Sequence, residues 1–205
     1  MLRLWGRTSS INVRKVLWTL QELDVPFERI DAGLAYGIND TPDYRDKNPN
    51  SLVPLLEDGD FTLWESNVIV RYLCAREQSS FYPVELRQRF DAERWMDWQQ
   101  TTLNRAGGPA FIQWMRTSAE QRQPVVIATS VAATEPLLAL LDAHLARRPW
   151  MAGEQFTMAD IPIGCEIQRW WGLPQPRPVL PHLERWYAAV LARPATRGVL
   201  DLPLS

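Results

Sequence analysis

The spacing of apolar and polar residues changes near residue 80, and this change divides the chain into two parts. In the first part, the apolar run from Leu2 to Gly6 predicts a short strand closed by glycine. From Ile11 to Leu23 the apolar positions recur every three or four residues, which predicts a helix that ends before Pro26. Phe27 to Ala32 predicts a second strand. The pattern therefore begins with strand, helix, strand.

A predicted hairpin follows further along. The apolar runs Val53–Leu56 and Phe61–Trp64 flank an acidic turn that contains glycine, which is a typical hairpin signal. The residues from Tyr36 to Asn50 are rich in Pro, Gly and Asn and predict a loop with one helical turn. Ser66 can cap a helix after the second strand of the hairpin. The first part is thus expected to be ordered βαβ and then ββα.

The second part is predicted to be entirely helical. Residues 79–84 are a plausible linker, so we expect domains at 1–78 and 85–205. Gly107-Gly108-Pro109 is expected to bend the first helical stretch, and Pro136 should kink the next. The helical patterns cover residues 85–116, 125–147, the segment opened by the capping box Thr157-Met158-Ala159-Asp160, and 182–192.

Composition excludes several classes of function. The chain has 205 residues, 46% hydrophobic and 22% charged, and a net charge of −2, which gives no reason to expect a nucleic acid or an anionic membrane as a partner. The N-terminus lacks the apolar core of a signal peptide, and no run is expected to approach the length needed to cross a membrane, so the expected location is the cytoplasm.

The few cysteines and histidines also limit the chemistry. Cys74 and Cys165 lie in helical patterns without CxxC spacing, and we expect buried, reduced thiols. His144 and His182 have no Cys or carboxylate cluster at ligand spacing, so no metal site is expected.

Hydroxyl and amide side chains open the first helix at Ser9, Ser10 and Asn12. The simplest interpretation is that they cap the helix. The alternative is that they hold a ligand thiol. A hydroxyl donor, an amide donor and the positive helix end all favour a thiolate, and so lower its pKa from about 8.5 toward neutrality. The residues alone leave both interpretations open.

Two further sites each have a structural and a ligand-binding interpretation. Glu65 and Ser66 can serve as a helix cap, or they can hold the ammonium and carboxylate of an α-amino acid end. Pro54 can simply begin a strand. Alternatively, a cis Val53–Pro54 bond turns the Val53 backbone outward to pair with an extended, peptide-like ligand. Taken alone, each residue favours its structural interpretation.

Taken together, these segments resemble the glutathione transferase superfamily, and the resemblance covers nearly the whole chain. It is carried, in order, by SSIN at residues 9–12, NPNSLVPLLEDG at 48–59, WESNVIVRYL at 64–73 and FTMADI at 156–161. The likeness is to small bacterial, serine-type members of theta or beta kind, because Trp5-Gly6-Arg7 stands where many relatives have tyrosine. It implies an α/β thioredoxin-like N-terminal domain followed by an all-α C-terminal domain.

The resemblance also implies roles for these positions. Ser10 would activate the thiol of glutathione with support from Asn12, and Ser9 is the rival for that role. The resemblance assigns glutathione contacts to Val53, Pro54 as a cis-proline, Glu65, Ser66 and, more loosely, Asn39. Candidates for the second substrate's pocket in the helical part are Trp98, Phe111, Trp114 and Met115, for which ordinary core packing is the alternative.

The function implied is transfer of glutathione, as co-substrate, to a small hydrophobic or halogenated electrophile by conjugation, dehalogenation or peroxide reduction, in a homodimer. One alternative is a glutathione-dependent isomerase of the maleylacetoacetate type, because Ser9-Ser10 with Arg14 echoes its motif; Ile11 replaces that motif's cysteine. The other is a binding or regulatory protein that has lost catalysis.

Overall fold

The computed structural model describes residues 1–204 and divides into two compact units. The first unit is Met1–Tyr82, and the second begins at Pro83. The sequence-based domain limits of 1–78 and 85–205 differ from these by a few residues, within the expected linker. Ser205, the last residue of the second expected domain, lies outside the described residues.

The first unit contains a four-stranded sheet in the order β2-β1-β3-β4. β1 pairs in parallel with β2 and antiparallel with β3, and β3 pairs antiparallel with β4. Leu4 of β1 lies opposite Leu56 of β3, and both side chains are buried in the sheet centre. The strands are β1 Leu2–Trp5, β2 Phe27–Ile30, β3 Leu55–Asp58 and β4 Phe61–Trp64.

Three α-helices accompany this sheet: α1 Ile11–Glu22, α2 Pro42–Lys47 and α3 Ser66–Arg76. α1 packs against α3, since the apolar positions of both helices face the core. Val16 and Leu20 of α1 and Ile69 and Leu73 of α3 are fully buried. The order βαβ and ββα is confirmed, with a 3₁₀ turn at Leu34–Tyr36 and α2 in the predicted loop region.

The described part of the second unit is helical. Its α-helices are α4 Leu86–Trp98, α5 Asn104–Met115, α6 Pro124–Leu145, α7 Asp160–Trp171 and α8 Pro181–Leu191. A π-helical turn at Gln99–Leu103 joins α4 to α5, and 3₁₀ turns lie at Ala119–Gln121 and Pro194–Thr196. α6 packs against α5 and α8, and α7 packs against α5.

The sequence predicted that Gly107-Gly108-Pro109 would bend the helical stretch at 85–116. In the structure the helical geometry changes earlier, at the π-helical turn Gln99–Leu103, and α5 includes Gly107-Gly108-Pro109. Pro109 is accommodated because Ser130 of α6 inserts its hydroxyl into the hydrogen-bond ladder of α5. Ser130 Oγ donates to the Ala106 carbonyl at 2.5 Å and accepts from the Ala110 N–H at 3.2 Å. The inserted side chain is one recognised cause of a local helix distortion.

Helix α6 corrects a second expectation. Pro124–Leu145 is one continuous 22-residue helix that passes a length-and-composition test for membrane spanning, with a mean hydropathy of 1.7. The sequence-based expectation that no run approaches this length is therefore wrong. One such helix is weak evidence for a membrane. Only 22% of the window is buried; α6 packs against α5 and α8, and its buried residues include Leu138 and Leu141.

The start of α7 confirms the capping box predicted at 157–160. The Asp160 carboxylate accepts the Thr157 N–H at 2.9 Å, while the Thr157 hydroxyl accepts the Ala159 N–H at 3.3 Å. Asp160 also accepts the Met151 N–H at 2.9 Å and the Trp186 indole N–H at 2.8 Å. Complete burial raises the pKa of Asp160 to about 6 despite these donors.

Both cysteines are buried and neither forms a disulfide, as the sequence predicted. Burial raises the pKa of the Cys74 thiol to about 12 and keeps it unreactive. Within residues 1–204, no group of three or more His, Cys, Asp or Glu side chains is arranged to hold a metal ion.

Candidate functional site

The loop between β1 and α1 is held from both sides by arginine side chains. Arg29 of β2 donates to the Gly6 carbonyl at 3.0 Å, and buried Arg14 of α1 donates to the Thr8 carbonyl at 2.7 Å. Gly6 has φ +152°, and a Cβ there would lie 2.4 Å from a methyl carbon of Val13. Glycine is therefore required for the chain to pass this close to α1. These contacts fix the loop, and with it the positions of Ser9 and Ser10 at the N-terminal end of α1.

Ser10 is the N-cap residue of α1, yet its hydroxyl does not cap the helix. Its backbone is extended, with φ −87° and ψ 122°, and the side chain makes no capping hydrogen bond. Among residues 1–204 this hydroxyl has no hydrogen-bond partner. Ser9 and Ser10 are both half-buried, so they border a surface that a ligand can reach. The capping interpretation is thus wrong for Ser10, and its donor remains available.

Asn12 and Ser66 join the N-terminal ends of α1 and α3. Ser66 Oγ donates to Asn12 Oδ1 at 3.3 Å across 54 residues of sequence. The prediction that Ser66 caps α3 is wrong, because α3 begins at Ser66 and exposed Glu65 occupies the N-cap position without a side-chain capping bond. Each helix end carries unpaired backbone N–H groups and a partial positive charge. Two such ends side by side favour a ligand with two anionic groups.

The peptide bond between Val53 and Pro54 is cis, as the resemblance implied. Within residues 1–204 neither the N–H nor the carbonyl of Val53 has a hydrogen-bond partner. A Cβ on Gly6 would lie 3.4 Å from the Val53 side chain, and so would one on Gly33. Val53 therefore packs against the segments that follow β1 and β2, while its backbone polar groups stay available.

The segment before Val53 is fixed by Asn39 and by two side chains that the sequence did not single out, Tyr44 and Asn48. Buried Asn48 donates to the Leu52 carbonyl at 2.8 Å, and the Tyr44 hydroxyl donates to the same oxygen at 2.7 Å. Burial raises the pKa of Tyr44 to about 12, so this donor keeps its proton. Asn39 donates to the Ser51 carbonyl at 2.7 Å. The Asn-Pro-Asn sequence at 48–50 was the available signal, but it does not reveal which carbonyl its side chains reach.

The aromatic candidates of the helical unit lie in different surroundings. The Trp98 ring meets Trp95 edge-on, with centroids 5.4 Å apart. The Phe111 ring contacts two guanidinium groups, those of Arg169 at 5.1 Å and Arg116 at 5.4 Å. Both Trp98 and Phe111 are half-buried.

Trp114 and Met115 end α5. The Arg122 guanidinium lies 5.1 Å from the Trp114 ring centroid, and Trp114 lines a pocket together with α6. Met115 is half-buried. The structure therefore does not gather Trp98, Phe111 and Trp114 around one shared contact, and their binding roles stay predictions.

The chain matches two family models in order. Residues 1–75 match the glutathione S-transferase N-terminal domain, and residues 124–189 match the glutathione S-transferase C-terminal domain. Over its full length the chain is 43% identical to the glutathione S-transferase GstB of Escherichia coli, and the match covers 100% of both chains. The chain belongs to the glutathione S-transferase family. The resemblance inferred from the sequence is confirmed, and with it the assignment as an enzyme of this family.

Solved structures confirm the fold of this glutathione transferase. A theta class glutathione S-transferase from Xanthomonas axonopodis pv. citri, with glutathione bound, superposes with a TM-score of 0.96 at 43% identity, covering 100% of this chain and 99% of that chain. A glutathione S-transferase from Pseudomonas fluorescens has a TM-score of 0.85 at 26% identity and covers 95% and 96% of the two chains. Both support the thioredoxin-like and helical domain plan.

Proposed function

We propose that this transferase binds glutathione on its first unit, ionises the thiol beside Ser10 and transfers the thiolate to a small hydrophobic or halogenated electrophile. The observation that carries the proposal is the Ser10 hydroxyl, which sits at the N-terminus of α1 and makes no hydrogen bond within residues 1–204. A related theta class enzyme that is 43% identical has glutathione bound, which supports glutathione as the substrate.

The chemistry follows from the electrostatics of that helix end. A thiol with a pKa near 8.5 is mostly protonated at neutral pH, whereas the thiolate is the nucleophile. A hydroxyl hydrogen bond and the partial positive charge of α1 both stabilise the anion more than the neutral thiol, so they lower the pKa. Asn12 stands in the first turn of the same helix and, through Ser66, keeps the two helix ends together. In this scheme Ser10 stabilises the thiolate and does not attack the substrate.

The rest of the tripeptide is assigned by chemical complementarity. The cysteinyl backbone pairs with the available N–H and carbonyl of Val53, next to cis Pro54. The γ-glutamyl carboxylate takes the Ser66 end of α3, and exposed Glu65 takes its ammonium group. Asn39 is proposed near the glycyl carboxylate.

The helical unit supplies the surface for the electrophile in this proposal. Half-buried Trp98, Phe111 and Met115 offer apolar area, and Trp114 is the fourth candidate from the sequence. Which electrophile reacts depends on the shape of that surface.

The test is a pH titration of the absorbance of bound glutathione thiolate near 240 nm, combined with conjugation of chlorodinitrobenzene. Ser10→Ala should raise the pKa of the bound thiol by about 2 units and lower kcat/KM by about 100-fold, because the thiolate loses its hydroxyl donor. Glutathione affinity should change little. Ser9→Ala is the matched control and should leave both measurements near the wild-type values.

Each alternative predicts a different result in these measurements or in an assay with maleylacetone. If Ser9→Ala raises the thiol pKa and Ser10→Ala does not, the assignment of the two serines is reversed. If the protein isomerises maleylacetone faster than it conjugates chlorodinitrobenzene, it is an isomerase. No glutathione binding at millimolar concentration would contradict the proposal and favour a regulatory protein.

We also propose that the enzyme works as a homodimer in the cytoplasm, as its family resemblance implies. Sedimentation equilibrium should give about twice the chain mass of 23.6 kDa, and a monomer at all concentrations would contradict the proposal.

A further inference from the structure

The peptide group between Leu52 and Val53 is held at its carbonyl oxygen by two buried side chains. The Tyr44 hydroxyl donates to the Leu52 carbonyl at 2.7 Å, and the Asn48 amide donates to the same oxygen at 2.8 Å. Tyr44 is 3% exposed and Asn48 is 2% exposed, whereas Leu52 is 66% exposed. The protein therefore uses the backbone carbonyl of Leu52 and leaves its side chain in solvent.

The two donors come from α2 and are themselves oriented by further contacts. Tyr44 lies inside α2 and Asn48 is its C-cap, four residues later, so both side chains can reach the same oxygen. The Trp5 ring meets the Tyr44 ring edge-on, with centroids 6.2 Å apart and an interplanar angle of 81°. Asn48 Oδ1 accepts the Asn50 N–H at 3.1 Å, which directs the Asn48 amide nitrogen toward Leu52.

Holding this carbonyl also orients the Val53 N–H. A peptide group is planar, and in a trans bond such as Leu52–Val53 the N–H points away from the carbonyl. A carbonyl oxygen has two lone pairs, and the donors Tyr44 and Asn48 together fix the plane of the group. The Val53 N–H has no hydrogen-bond partner in the described part of the chain. The protein thus fixes the direction of a donor that it does not use itself.

We propose that Tyr44 and Asn48 are positioning residues for glutathione, which aim the Val53 N–H at the cysteinyl carbonyl by holding the Leu52 carbonyl. This inference rests on the proposed function, in which the Val53 backbone pairs with the cysteinyl part of glutathione. Donation to a carbonyl polarises its peptide group, so the Val53 N–H becomes a stronger donor. A donor that is already oriented also loses less conformational freedom when the ligand binds. Neither side chain touches the ligand in this scheme.

Isothermal titration calorimetry with two ligands tests this role on the full chain. One ligand is S-hexylglutathione, a thioether of glutathione. The other is its (E)-alkene isostere, in which CH=CH replaces the amide between the cysteinyl and glycyl residues. The isostere keeps the length and the cysteinyl N–H but lacks the carbonyl that the Val53 N–H would meet. The wild-type protein should bind S-hexylglutathione about tenfold more tightly than the isostere.

Tyr44→Phe removes one of the two donors and keeps the ring that meets Trp5. It should weaken the binding of S-hexylglutathione about fivefold and that of the isostere less than about 1.5-fold, because only the first ligand uses the Val53 N–H. Tyr72→Phe is the matched control, since the Tyr72 hydroxyl donates to Asp58 at 2.7 Å in the same unit. It should leave both affinities unchanged. Equal weakening of both ligands in Tyr44→Phe, or no weakening, would overturn the proposal.

Asn48→Asp tests the second donor. The carboxylate keeps an acceptor for the Asn50 N–H and loses the donor to the Leu52 carbonyl. The preference for S-hexylglutathione over the isostere should fall at least about fivefold. An unchanged preference in the folded variant would overturn the role of Asn48. If circular dichroism shows that Asn48→Asp does not fold, the Tyr44→Phe result decides alone.

The wild-type titrations separate a failure of this inference from a failure of the proposed function. If the wild-type protein does not bind S-hexylglutathione, or binds both ligands equally, the proposed pairing of Val53 with glutathione is in error, and the positioning role is overturned with it. If the wild-type protein shows the expected preference and Tyr44→Phe retains it in full, the proposed function stands and only the positioning role is overturned.

Discussion

The N-termini of α1 and α7 resemble each other in sequence and differ in how their polar groups are used. Ser9-Ser10-Ile11-Asn12 opens one helix, and Thr157-Met158-Ala159-Asp160 opens the other. At α7, fully buried Asp160 accepts three N–H groups. At α1, half-buried Ser10 makes no side-chain hydrogen bond within residues 1–204.

The difference separates a helix end used for folding from one that we propose binds a ligand. Polar groups at the α7 end are paired by the protein itself, so removing them should cost stability. The α1 end leaves a hydroxyl donor and the partial charge of the helix for another molecule, so removing the hydroxyl should cost activity. Four measurements test this contrast, beginning with the largest expected effect.

Asp160→Ala should lower the free energy of unfolding by about 3 kcal/mol or more, because it leaves the N–H groups of Met151, Thr157 and Trp186 buried without an acceptor. Urea unfolding followed by circular dichroism measures the change. Asp43→Ala, an exposed acid in the first turn of α2, is the control and should cost well under about 1 kcal/mol. Equal losses in the free energy of unfolding for Asp160→Ala and Asp43→Ala would contradict the stabilising role assigned to Asp160 at the start of α7.

The pH dependence of stability gives the next effect. The pKa of Asp160 is about 6 in the folded protein, against an ordinary value of 3.8 for an aspartate in the unfolded chain, so between these values the native state binds the extra proton. Stability from this group is therefore full below about pH 4, falls as the pH rises to about 6 and is level above that, with a total loss of up to about 3 kcal/mol. Asp160→Asn should lack this slope. Parallel pH profiles of the two proteins would contradict the raised pKa.

Ser66→Ala should raise the Kd for glutathione about tenfold, since it removes the hydroxyl that donates to Asn12 without ligand and that we propose donates to the ligand carboxylate instead. The free energy of unfolding should fall by less than about 1 kcal/mol. Calorimetry with glutathione measures the affinity, and Ser118→Ala at an exposed N-cap serves as control. A large loss of stability with unchanged affinity would make Ser66 a structural residue.

The smallest expected effect, the stability change in Ser10→Ala, distinguishes most directly between capping and ligand binding. Ser10→Ala should change the free energy of unfolding by less than about 0.5 kcal/mol, because the hydroxyl makes no hydrogen bond to lose. Thr41→Ala, which removes a hydroxyl that accepts the Tyr44 N–H at the start of α2, is the comparison and should cost about 1 kcal/mol. A Ser10→Ala cost as large as that of Thr41→Ala would show that Ser10 works as a cap after all.

The sequence predicted the strands and the helical character of the chain, because apolar periodicity reports directly on burial. It also placed the α7 capping box, whose partners lie within four residues. It could not decide between capping and ligand binding at Ser10 and Ser66, since the use of a hydroxyl depends on a distant partner such as Asn12, 54 residues from Ser66. The same holds for Tyr44 and Asn48, whose acceptor carbonyl is set by the fold of the loop.

Ser130 has a consequence for how this chain tolerates changes in length. Its hydroxyl bridges the Ala106 carbonyl and the Ala110 N–H, so these hydrogen bonds fix the register of α6 against α5. The segment that connects α5 to α6 can absorb a change in length, whereas a residue inserted between Ala106 and Ala110 changes the spacing of the two backbone groups that Ser130 contacts and must break one of these hydrogen bonds or distort α5.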